Sequence, residues 1–84
     1  MVSYSRQVAI CESVRETIKR AVAQSDDVQI RRRATVIDKE SVLRAASIQP
    51  GLDTEDKLLD FITEHVLNNL RLTPTQRERF TLNG

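Results

Sequence analysis

The sequence predicts a mainly α fold: an N-terminal amphipathic helix, one basic strand paired across a homodimer, two antiparallel helices and a short C-terminal helix. Three observations predict it. Apolar residues recur in steps of three and four over residues 5–24 and 54–72, the spacing that gathers side chains on one side of a helix. Residues 28–37 switch to alternation with β-branched enrichment. Capping residues and two prolines then divide the remainder into short segments.

In the first segment Tyr4, Val8, Cys11, Val14, Ile18, Ala21 and Val22 form the apolar stripe. Arg6, Glu12, Arg15, Glu16, Lys19 and Arg20 occupy the other face, with Glu12–Glu16–Arg20 at spacings where helix neighbours meet. Val2, Tyr4, Val8 and Ile10 also alternate, so a strand over the first ten residues is a competing reading. Ser25-Asp26-Asp27 stops the helical pattern because these side chains bond their own backbone.

The next segment places Val28, Ile30, Ala34 and Val36 on one face of an extended strand and Gln29, Arg31, Arg33 and Thr35 on the other. A lone strand leaves backbone donors and acceptors unpaired, so it requires a partner, best supplied by the same strand of a second subunit. Three adjacent arginines repel one another and add little to folding, an arrangement that suits a polyanion, although charge on a strand edge also prevents unwanted pairing. Asp38 caps a short helix to about Ile48, with Val42, Leu43, Ala45, Ala46 and Ile48 as its stripe. Gln49-Pro50-Gly51-Leu52 reverses the chain. Asp53 or Thr54 caps the next helix, whose Leu58, Leu59, Phe61, Ile62, Val66, Leu67 and Leu70 make the broadest apolar face and anchor the core. Pro74 ends it by residues 72–73, and Thr73-Pro74-Thr75-Gln76 starts a final helix to about Phe80 before a frayed tail.

Composition bounds the function. Eighty-four residues with 39% in the apolar set form a single domain, divided into residues 1–27, 28–72 and 73–84. A chain this size buries only about 60–65% of its unfolded surface, which makes a second subunit a natural source of burial. The net charge of +1 conceals segregation: residues 1–37 carry seven basic against four acidic side chains, residues 38–72 four against seven. The longest apolar run, Val8-Ala9-Ile10-Cys11, is far too short for a membrane span, and no secretory leader pattern is present, so a cytoplasmic protein is expected. One cysteine and one histidine predict neither disulfide nor zinc site. Cys11 falls in mid-stripe and His65 on the flank of the apolar face, positions of packing rather than catalysis, and no phosphate loop or nucleophile elbow occurs. No enzyme, cofactor or small-molecule substrate is expected.

Two binding readings remain. Strand, short helix, turn and longer helix over residues 28–71, with Arg33-Ala34-Thr35-Val36-Ile37-Asp38-Lys39-Glu40 leading into one helix and Thr54-Glu55-Asp56-Lys57-Leu58-Leu59 opening the other, resemble the ribbon-helix-helix DNA-binding regulators. The resemblance covers about half the chain. It implies a homodimeric transcription regulator whose paired strands enter the major groove with Arg31, Arg33 and Thr35, while the start of the longer helix near Asp53 and Thr54 faces the phosphates. It departs from that family in the long segment before the strand, the Pro50-Gly51 turn, and the acidic residues 53, 55 and 56. The alternative is a small protein-interaction module, an adaptor or phage-type inhibitor, docking by its first helix or by the acidic row Asp56, Asp60 and Glu64, which follows Asp53 at helical spacing.

Overall fold

A computed structural model describes residues 2–79. They form α1 (Tyr4–Ala23), α2 (Val28–Thr35), α3 (Lys39–Ile48), α4 (Glu55–Leu70) and α5 (Pro74–Arg79). The helical class is as expected, but the described residues contain no strand.

The correction falls on the arginine segment. Residues expected to alternate between two faces instead bury Ile30, Ala34 and Ile37, at steps of four and three, on one side of α2 and the bend after it. Asp27 starts the helix, accepting from the N–H groups of Gln29 at 2.9 Å and Ile30 at 3.4 Å, and Arg32 and Arg33 in its last turn suit the negative end of the helix dipole. Helix won because it satisfies its own backbone groups, whereas a strand had no partner within this chain. The unpaired donors that called for pairing across a homodimer are thereby removed.

The other elements follow their local signals. Ser3 caps α1 through its hydroxyl and Tyr4 already lies in the helix, so the competing N-terminal strand does not form. Asp38 caps α3 and Thr54 caps α4. Gly51 takes φ +85° in the turn between them, a backbone that side chains with a Cβ rarely adopt. Thr73 and Gln76 exchange the two bonds of a capping box. The expected end of the last helix at Phe80 and the tail over 81–84 lie outside the described residues.

Helix directions can be read from contacts. Arg6 joins Glu55 at the first turns of α1 and α4, while Ile18 and Val66 line one small cavity near their other ends, so the two run side by side in the same sense. At the start of α3 Lys39 reaches Glu12, and at its end Ala46 meets the surroundings of Gln7 and Leu58; α3 therefore runs opposite to both. Both α2 and α3 pack on α1 and on α4. Together they act as one returning leg broken at residues 36–38, which makes the core in effect a three-helix bundle. Arg15 of α1 spans the break, donating through Nε and Nη2 to the Ile37 carbonyl at 3.3 and 3.0 Å.

The core is apolar throughout. Ile18, Val22, Ile30, Val42, Ile62, Val66 and Leu70 are almost fully buried, and no polar or charged residue is buried among the described residues. Three members of the expected helical stripes fall outside it: Tyr4 is 71% exposed at the start of α1, Ile48 79% at the end of α3 and Leu59 42% on α4.

The caps make stability pH-dependent. The Asp38 carboxyl is held below its ordinary value of 3.8, chiefly by the Ser41 N–H and then by the Ser41 hydroxyl. Glu55 is held below 4.5, first by the hydrogen bond from Arg6 and then by its charge. A depressed folded pKa means that the ionised form is favoured by folding, so this stabilisation is complete above the unfolded values and is lost as pH falls through the folded ones. The urea midpoint is therefore expected to hold steady from about pH 7 to 5 and to fall below about pH 4, with a shallower fall in Asp38→Asn. An Asp38→Asn profile that overlays the wild type would show that the cap carries none of the acid sensitivity.

Candidate functional site

The three expected DNA contacts do not come together. On a helix, residues 31 and 35 share a side, while residue 33 is turned about 160° away from 31. Arg31 bends back onto the Ser25 carbonyl, and the Thr35 hydroxyl donates to the Arg32 carbonyl at 2.7 Å. Arg33 turns inward to α4, where Nη1 donates to the Leu70 carbonyl at 2.9 Å and closes the end of that helix. Arg32, expected to lie on the apolar side of a strand, is exposed and meets no acceptor among the described residues.

The acidic row is more coherent. Asp56, Asp60 and Glu64 line the outer side of α4 and are all exposed. Glu64 contacts Arg77 of α5, which also reaches Asn68 at 3.1 Å, and Asp53 pairs with Lys57 at 3.0 Å. Asp56 and Asp60 face no cation among the described residues.

Beside this row an open groove of about 330 Å³ runs between the first halves of α1 and α4. Small side chains on α1, Ala9 and Ser13, leave Leu59 accessible from it above the buried Ile10, and Asp56 forms part of its wall. Arg6 and Glu55 close one end with a 2.6 Å ion pair; each thereby favours the charge of the other, raising the Arg6 pKa and lowering that of Glu55.

A second groove of about 360 Å³ opens where α2 ends, α3 begins and α4 stops. Arg33, His65, Asn69 and Arg71 supply its polar side; Val36, Ile37 and Val42 supply its apolar side. Asp38 and Ser41 complete it, bonded to each other by the α3 cap. Of these residues Arg33, Val36 and Ile37 stood in the segment singled out from sequence. Arg71 gave one signal, its place just before the helix-ending Leu72-Thr73-Pro74.

The residues best suited to chemistry are used for packing. Cys11 is fully buried, its Sγ 3.9 Å from the Lys39 carbonyl, and burial pushes its thiol pKa up, away from the reactive thiolate. His65 is half-buried and stacks on Phe61, ring centroids 5.9 Å apart and planes inclined by 22°. Among the described residues no three His, Cys, Asp or Glu side chains gather as a metal site would require, and no helix is long and apolar enough to cross a membrane. In comparisons with known proteins the chain matches no family model, no curated protein and no solved structure.

Proposed function

We propose that this chain is a non-catalytic protein-interaction module that seats a basic, amphipathic helix of a partner in the groove between α1 and α4. The observation that carries the reading is an open apolar floor beside uncompensated negative charge. Leu59 is 42% exposed next to Ala9, above the buried Ile10, while Asp56 and Asp60 have no cation opposite them among the described residues. A partner helix with apolar residues at i, i+3 and i+4 would cover the floor, and its flanking lysines or arginines would meet the two carboxylates. Arg6 adds no opposing field, because Glu55 already neutralises it.

Rim charges act mainly on association rate and on choice of partner. Partner capture should therefore fall about tenfold on the Asp56→Lys/Asp60→Lys double variant, weaken with added salt, and persist on Arg31→Ala. Capture undisturbed by the double reversal would overturn the proposal. So would retention of duplex DNA at low salt that Arg31→Ala and Arg32→Ala abolish, which would return the arginines to the nucleic-acid role that the sequence suggests.

A further inference from the structure

The second groove, on the other side of α4, has a feature that folding alone does not call for. Arg71 closes α4 in the left-handed conformation, φ 53° and ψ 48°, the one non-glycine residue with positive φ among the described residues. Glycine or asparagine ordinarily holds this position because a larger side chain strains the backbone there. Arg71 lines the groove and is exposed, and its guanidinium meets no acceptor among the described residues. A residue kept in a strained backbone conformation is a pointer to function.

Its neighbours are arranged in the same sense. Arg33 is fixed by its 2.9 Å bond to the Leu70 carbonyl, which covers the negative end of α4, and its charge also acts on the Asp27 carboxylate at the start of α2. The His65 ring nitrogens meet no partner among the described residues. The one carboxylate of the groove, Asp38, is engaged by the Ser41 N–H at 2.6 Å and the Ser41 hydroxyl at 3.1 Å, and its charge is felt by Arg15 and Arg44. Arg71 in full, and Arg33 in part, therefore remain for an incoming anion. Opposite them stands Val36, 74% exposed, with the buried Ile37 and Val42 behind it.

From this juxtaposition we infer that the groove at the α2–α3 break binds a phosphate monoester, with Arg33 and Arg71 taking the phosphate and the exposed Val36 packing against its organic part. Paired guanidinium groups match phosphate oxygens through charge-assisted hydrogen bonds, and the groove, at about 360 Å³, is larger than a bare phosphate fills. The inference is independent of the interaction groove, which lies between α1 and α4.

Phenyl phosphate, inorganic phosphate and phenol are the probes, titrated into the whole chain with amide chemical shifts as the readout. Phenyl phosphate should saturate with shifts centred on residues 33–42 and 65–71, inorganic phosphate should bind about tenfold more weakly, and phenol should not bind. Arg71→Gly relieves the strained backbone, so its melting temperature should stay level or rise by a few degrees while phenyl phosphate affinity falls about tenfold or more. Arg71→Asn, which also tolerates this backbone, should lose affinity equally. Arg20→Ala removes the same charge from the outer side of α1 and should change nothing. Absence of saturation at about 10 mM phenyl phosphate, undiminished binding by Arg71→Gly, or an equal loss in Arg20→Ala overturns the site. Equal affinities for phenyl phosphate and inorganic phosphate overturn the apolar wall, and equal affinities for phenyl phosphate and phenol overturn the arginine pair.

Discussion

Ile62→Ala is expected to lower stability by about 3–4 kcal/mol and the melting temperature by about 15 °C or more. Ile62 is fully buried at the middle of α4, the helix against which α1, α2 and α3 all pack. Truncation removes the transfer free energy of three carbon groups and leaves a cavity whose lining comes from several helices, which cannot all move in at once. A chain of 84 residues has about 4–13 kcal/mol of stability in total, so the loss is a large share of what holds the molecule folded. Leu59 provides the comparison, because it lies on the same helix but is 42% exposed. Leu59→Ala should cost less than about 1 kcal/mol, since it loses only part of one side chain's burial and leaves no enclosed space. Urea unfolding of the two variants measures the difference. Equal costs would mean that α4 is not seated on the core through its Leu58–Ile62–Val66 face.

That contrast also marks what was legible in the sequence. Asp38, Thr54 and the Thr73–Gln76 box announced three helix starts, because capping is a bond between residues two or three apart and needs nothing else in the fold; Ser3, which caps α1 in the same way, went unread. The long stripe of α4 was equally plain, since seven apolar positions suit only one period, whereas the start of α1 also admitted the alternation of a strand. Stripe membership was less so: Leu58 and Leu59 read alike in sequence, yet only Leu58 is buried, because α1 happens to present Ala9 and Ser13 beside Leu59. Residues 28–37 were misread for a related reason. Over so few residues Val28, Ile30, Ala34 and Val36 fit a period of two while Ile30, Ala34 and Ile37 fit a helix, and β-branching tipped the choice toward strand. Asp27, at the N-cap position, was the local signal for helix. The roles of Arg33 and Arg15 could not be read at all, because each depends on a carbonyl more than twenty residues away.

Arg32→Pro separates helix from strand in the arginine segment and is expected to cost about 3 kcal/mol or more, with a measurable loss of far-UV helical signal. Position 32 lies beyond the first turn of α2, where proline removes a backbone donor and its ring clashes with the carbonyl four residues back. Residue 31 would also be pushed out of helical geometry. Loss of α2 would withdraw Ile30 and Ala34 from the core and Arg33 from the Leu70 carbonyl, so the phosphate groove should fail in the same variant. Arg32→Ala isolates the backbone effect: the side chain is exposed and unpaired among the described residues, and alanine favours helix, so stability should stay within about 0.5 kcal/mol of wild type. In an edge strand the expectation differs, since proline is tolerated where its nitrogen faces solvent. If Arg32→Pro keeps its helical signal and its unfolding midpoint, residues 28–35 are not helical in solution, and the case for the phosphate groove must be rebuilt from an extended segment.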